Sequence, residues 1–418
     1  MILALVAGAC GSSKAASPST STAPPAGTTT TTYTGNNGGA TDVGVTATTI
    51  TVGQTDILSG PVPGLFQGAK YGTQAYFNYI NSQGGVYGRT IKLDVGDDAF
   101  NGAQNRSLTQ AQIKNDFALV GGFSLFDGAP VDLINAAHMP DINSALDSAR
   151  RASPYNFSPQ PQSPGGWLLG PFDYYKKHNF DATQHVATLV ADVASAKATQ
   201  AAMVAAMVAD GYKISYSRVT GVLETDYTAD VVKMRNAGVK MVVISGLDIG
   251  GVSRLLDNMA QQGFKPQVFS STGTAYDSTL IKRAGAAAAE GIFIDQTQAM
   301  YLGEDAHNVP AVALFDKWMH NTKPDVRIDL FALFGWTSAE LFTDALKAAG
   351  PKATRTSLLA ALHNIKSFTA NGLLPPANPG AKTPPKCWLH IEVHNGKFQR
   401  VNDPATGFRC DDQRFHQS

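Results

Sequence analysis

Near the C-terminus, His390, Glu392 and His394 alternate along one run. On a strand, alternate side chains share a face, and imidazoles with a carboxylate are zinc donors. The same alternation gives Leu389, Ile391 and Val393 the opposite face. Those three then meet a core, and the polar three face water. That solvated reading is adopted, and no metal ligand is assigned. The sequence holds no G-x-S-x-G elbow, no G-x-x-x-x-G-K-[ST] loop, no C-x-x-C and no H-E-x-x-H. Nucleophilic, phosphate-loop, dithiol and zincin chemistry therefore lack their marks. Neither an enzyme activity nor a cofactor is expected. A catalytic role would rest on fold analogy alone.

The other residues able to act on a ligand stand at strand ends, so the elements that place them come next. Residues 50–53 read as a short strand, broken by Ser59-Gly60-Pro61. Leu65, Ala69, Gly72, Tyr76 and Ile80 follow at spacings of three and four, the stripe of a helix. Glycines at 84 and 85 stop it, and residues 90–95 alternate as a second strand. In such a βαβ unit, ligands sit at the loop after the first strand, here Ser59-Gly60. The alternation continues with a helix over 103–114, a strand over 117–122, a helix over 126–137 and a strand near 138–142. Pro, Ser and Gln dominate 153–166, a boundary. A second block repeats the pattern: helix 167–177, strand 185–190, helix 197–210, strand 213–219, helix 228–236, strand 241–244, helix 250–262, strand 267–270. Helices over 309–321, 329–349 and 355–364 follow, then a hairpin over 387–401 turned at Asn395-Gly396. Strands alternating with helices imply an α/β fold with doubly wound parallel sheets.

The chain has 418 residues, which suits two domains. It is 43% apolar and 16% charged, with 33 basic and 33 acidic residues. Large packed cores fit that composition, and no net field favours nucleic acid. Residues 11–45 are mostly Ser, Thr, Ala, Pro and Gly. Such a segment buries too little apolar area to offset its ordering entropy, and it reads as a disordered tether. Ahead of it, residues 1–9 are apolar and end at Cys10. This resembles a bacterial lipoprotein signal, with Cys10 as the lipidated residue; its apolar run is short, so the natural start is expected upstream. The two other cysteines, Cys387 and Cys410, are expected to form a disulfide outside the cytoplasm, worth roughly 3 kcal/mol in the chain-entropy model.

Several segments together resemble the type I periplasmic-binding proteins of the branched-chain amino-acid branch. They are Ile50-Thr51-Val52-Gly53 with Ser59-Gly60-Pro61, the stretch from Ile80-Asn81 through Gly84-Gly85 to Gly88-Arg89, Asp97-Asp98, Val120-Gly121-Gly122 and Met139-Pro140. In the second block, Asp226-Tyr227-Thr228, Asn236-Ala237-Gly238 and Gly263-Phe264 match. The resemblance implies two lobes, each a doubly wound sheet, with a ligand cleft between them. Lobe 1 would hold 46–162 and 299–368. Lobe 2 would hold 163–298 and 369–418. It further implies capture of a small solute, a branched-chain amino acid or related small organic molecule, by lobe closure outside the membrane for an ABC permease. The chain would be a monomer attached to the membrane only by its lipid. A ligand-binding sensor built on the same module is the alternative.

In that frame, ligand contacts belong at strand ends, where helix N-termini can hold a carboxylate. Lobe 1 would offer Ser59, Gly60, Phe123, Ser124, Leu125 and Asp147. Lobe 2 would offer Asp192, Leu247, Asp248 and Thr272. Trp167 and Phe126 could form an apolar wall, although packing in a lobe core is the more frequent role of large aromatics. Ser124, Asp192 and Asp248 could instead cap helices or face solvent. The chain also departs from the family. Thr272 stands where amino-acid binders place a carboxylate for the ligand's ammonium, and Ala196-Lys197 stand near the position of their tyrosine. A buried ammonium needs a charged partner. If Asp147, Asp192 and Asp248 do not supply it, the solute is not an α-amino acid; an amide, urea or organic acid would take its place.

Overall fold

The computed structural model describes residues 33–62, 64–162, 166–401, 404–410 and 414–417. Two parallel sheets form two lobes. The first contains β1 (Thr49–Asp56), β2 (Thr90–Asp97), β3 (Leu119–Val120) and β4 (Asp141–Ile142), in the order β2-β1-β3-β4. The second contains β6 (Val186–Ala191), β7 (Ile214–Thr220), β8 (Met241–Ser245), β9 (Val268–Thr272), β10 (Ile292–Gln296), β11 (Leu389–His394) and β12 (Lys397–Arg400). Its order is β12-β11-β10-β9-β8-β6-β7, with β11 and β12 antiparallel at one edge. β5 (Gly166–Leu168) pairs separately with β13 (Phe415–Gln417). Among the described residues no helix is long and apolar enough to cross a membrane.

Lobe 1 is closed by late helices that return to it. The helix Leu330–Ala349 lies along the helix Gln67–Ser82. The approach is close enough that a Cβ on Gly72 would meet the Ala332 carbonyl oxygen at 1.9 Å, and one on Gly335 the Ala69 carbonyl oxygen at 2.1 Å. Only glycine permits that distance. Between the lobes, Gln160 Nε2 donates to the Thr297 carbonyl at 2.7 Å, and Gln298 Nε2 donates to Gln160 Oε1 at 2.5 Å. Two crossing segments are thus tied to each other by their glutamines.

Several expectations need correction. Cys10 and residues 11–32 lie outside the described residues. Residues 33–45, expected as the end of the disordered tether, instead pack on lobe 1. Arg89, 1% exposed, is responsible. Its guanidinium donates to the carbonyls of Thr46, Pro351, Asn37 and Gly39 at 2.5–2.8 Å. Asp42 accepts from Arg355 N at 2.7 Å, and the Tyr33 and Tyr87 rings meet at 5.5 Å. Residues 166–168 form a strand rather than the start of a helix, because residues 415–417 supply a partner. The helix expected from 126 begins at Val131. Ser124 Oγ draws in Phe126 N, and Asp127 holds the backbone of Leu146 and Asp147, so the first residues serve a loop instead.

The C-terminal hairpin forms as expected, with Asn395 (φ 52°) and Gly396 (φ 69°) at its turn. Positive φ at both is the type I′ geometry that suits the strand twist. Cys387 and Cys410 are disulfide-bonded, with Cα atoms 4.5 Å apart.

Candidate functional site

A cavity of about 520 Å³ lies between the lobes. That is the size of a small-molecule site. Strand ends form its floor, as the chain direction of parallel sheets requires. Lobe 1 contributes an aromatic wall. Phe66 and Phe123 meet edge-on at 4.8 Å, Phe66 and Phe331 at 4.6 Å, and Phe123 stacks on Phe334 at 5.7 Å. Such contacts add about 0.5–1.5 kcal/mol per pair beyond area burial, so this wall is stiff. Asp56 fixes its loop. It accepts from Phe123 N at 2.8 Å, and burial holds its carboxyl well above the ordinary range. Lobe 2 contributes Trp167, Leu168, Phe172, Val193 and Leu247.

Of the ten expected contact residues, Phe123, Leu125, Leu247, Asp248 and Thr272 line the cavity. Ser59, Gly60, Ser124, Asp147 and Asp192 do not. Ser59 and Gly60 are taken up by the loop after β2. Asp97 Oδ1 accepts from Leu58 N at 3.0 Å and from Ser59 N at 3.2 Å, and a Cβ on Gly60 would meet the Ala99 carbonyl at 3.0 Å. Burial raises the Asp97 carboxyl, but the donors from Ser59, Ala99 and Leu58 outweigh it and leave it below its ordinary value. The same loop reaches the cavity a few residues later, through Val62, Leu65 and Phe66. Ser124 is buried against Asp98. Asp147 caps the helix Ser148–Ala152, accepting from Ala149 N at 2.8 Å. Asp192 faces solvent and pairs with Lys197 at 2.6 Å. Phe126 packs on Phe100, while Trp167 does line the cavity.

Every carboxylate lining the cavity is already engaged. Asp248 caps the helix Ile249–Gln261, accepting from Gly250 N at 3.1 Å and Gly251 N at 2.9 Å. Asp277 and Asp329 flank Arg327, at 3.4 and 2.7 Å. Burial raises the Asp329 carboxyl above its ordinary value, and Arg327 offsets part of that. Asp295 accepts from Tyr175 Oη at 2.6 Å and Ser270 Oγ at 2.7 Å, and it is joined to His390. Sequence reasoning missed Asp277, Asp295, Arg327 and Asp329, which come from distant segments and share no local motif. It also set His390 toward water. His390 is fully buried, ringed by Tyr174 at 4.4 Å, Trp388 at 4.7 Å and Tyr175 at 5.0 Å. Here a helix covers the face that alternation assigned to solvent. Among the described residues no three His, Cys, Asp or Glu side chains group as a metal site.

A family model described as periplasmic binding protein matches residues 49–397. The chain belongs to that family. It is therefore a solute-binding protein and not an enzyme. Solved structures agree in fold. A fatty acid ABC transporter substrate-binding protein from Thermomonospora curvata is 20% identical, with a TM-score of 0.74, over 89% of this chain and 95% of that one. A branched chain amino acid ABC transporter protein from Thermus thermophilus with bound valine is 19% identical, with a TM-score of 0.70, over 87% and 97%. A solute-binding protein from R. palustris in complex with 4-hydroxybenzoate is 20% identical, with a TM-score of 0.70, over 87% and 98%. No curated protein sequence matches significantly. These solved structures thus include a protein named for fatty acid transport, a complex with valine and a complex with 4-hydroxybenzoate.

Proposed function

We propose that this chain is the extracytoplasmic receptor of an ABC importer and that its solute is largely apolar and uncharged, rather than a zwitterionic amino acid. The observation that carries the reading is the state of the cavity's carboxylates. Asp248 is committed to a helix N-terminus, Asp277 and Asp329 to Arg327, and Asp295 to Tyr175, Ser270 and His390. Asp147 and Asp192 lie elsewhere. A ligand ammonium would have to displace one of these partners, and a buried charge without a partner costs several kcal/mol. The aromatic and aliphatic walls offer about 25 cal/mol for each Å² of apolar ligand surface they cover. Ser144, Thr272 and Thr274 supply hydroxyls for orientation.

Delivery to a membrane permease, attachment through lipidated Cys10 and a monomeric state complete the reading. The family supports delivery to a permease, the N-terminal pattern supports the anchor, and a monomer is the simplest arrangement. Thermal-shift measurements test the solute class, because a ligand that binds only the folded state raises Tm by mass action. Neutral amides and aromatic alcohols should raise Tm, while leucine, isoleucine and valine should not. A shift confined to the zwitterions overturns the proposal.

A further inference from the structure

The cavity does not end at the cleft. It runs on into lobe 2, between the sheet and the helix Ala194–Ala209. That helix turns Ser195, Thr199 and Met203 toward it, at spacings of four, which is one helical face. Opposite them, β8 and β9 present Ser245 and Ser270. The chamber follows from side-chain size. One step deeper along their own strands stand Val243 and Val268, which pack with Met203, Met207, Phe172 and Tyr212; Val243, Met203 and Phe172 are the part of that cluster that also lines the cavity. Toward the cleft from those valines the strands carry the smaller Ser245 and Ser270, and the helix above them carries Ser195, Ala196 and Thr199, so the space between is not filled. Trp388 and Leu168 close the remaining side. The neck also holds two polar atoms in need of partners. Among the described residues, Ser245 Oγ and Gln296 Oε1 have no hydrogen-bond partner, on residues 2% and 4% exposed. Buried polar atoms are almost always paired. A carboxylate has no proton to give Gln296 Oε1, whereas an amide or a hydroxyl does.

We propose that this chamber is a tail subsite that takes the hydrocarbon chain of an elongated solute whose neutral, hydrogen-bonding head stays at the neck by Ser245 and Gln296. This rests on the uncharged-solute reading above and gives the solute a shape. Calorimetric titration of the full chain with linear primary amides, from butanamide to decanamide, tests it. Affinity should rise about fourfold per added methylene, the value expected for burying each one, until the chamber is full. Thr199→Trp places a large ring in the chamber and should flatten that rise, collapsing the ratio of decanamide to butanamide affinity. Ser195→Leu provides the same test at the first turn should T199W fold poorly. Affinity independent of chain length, or a rise left intact in both variants, overturns the tail subsite alone. Binding of valine with no binding of any amide overturns the neutral-solute reading and the subsite with it.

Discussion

The two lobes meet the cavity with opposite kinds of surface. Lobe 1 presents a filled wall in which Phe66, Phe123, Phe331 and Phe334 lean on one another, backed by the glycine seam at Gly72 and Gly335. Lobe 2 presents a hollow one, with Ser245 and Ser270 each one step toward the cleft from a valine on the same strand. A filled aromatic wall gives area and shape but little room. A hollow gives room, at the cost of contacts that its lining atoms forgo. The contrast assigns lobe 1 the part of a lid and lobe 2 that of a container, so selection by length falls to lobe 2.

The largest test of this contrast is Phe123→Ala. It removes the ring that touches both Phe66 and Phe334, and it should cost about 3–5 kcal/mol of stability, the range for a core Phe→Ala change. Denaturant unfolding reads it. Affinity should fall at every chain length, because the lid is common to all of them. Next comes Cys387→Ser. The bond spans 23 residues and should contribute roughly 3 kcal/mol in the chain-entropy model. It ties Arg409, which bonds to Trp388 through the backbone at 2.8 and 3.0 Å, to the container's side. Its loss should therefore lower affinity for long amides more than for short ones.

The smallest effect is one of pH and belongs to lobe 1. Burial, with Asp344 nearby, raises the Glu340 carboxyl from its ordinary 4.5 to about 8. The unfolded chain binds that proton less tightly than the folded one. The stability gained is complete below pH 4.5 and is lost as pH rises through 8. Glu340→Gln keeps an oxygen for Asn371 Nδ2, now 2.6 Å from Glu340 Oε1, but does not titrate. Relative to wild type its Tm should be unchanged at pH 4 and higher at pH 9, because only the wild type loses stability as pH rises. A variant without that pH-dependent gain would show that Glu340 carries no linkage.

Much of the fold was legible because periodicity is local. The βαβ stripes, the Asn395-Gly396 turn and the glycine stops each need only neighbouring residues. The ordering of residues 33–45 was not legible, because it depends on a single distant arginine, Arg89, meeting four carbonyls. His390 was misplaced for a related reason. Alternation correctly put it opposite Leu389 and Ile391, but it cannot show that the helix Gly170–His178 covers that face at the start of β11. The site was half legible. Strand ends identified Phe123, Leu125, Leu247, Asp248 and Thr272. They could not show that Asp147 and Asp192 are spent on a helix cap and a lysine. The chamber was invisible in the sequence, since its serines lie on separate strands and only their adjacency leaves space.

The most direct test places a heavy atom at the end of the chain. The protein has four tryptophans; Trp167 and Trp388 line the cavity, while Trp318 and Trp336 pack around Tyr79 in lobe 1. Contact with bromine quenches indole fluorescence. Bound ω-bromodecanamide should quench the protein, and Trp388→Phe should remove most of that quenching. Binding of α-bromodecanamide should leave the Trp388 component bright. Quenching that is independent of bromine position, or that leucine competes away, would contradict the account.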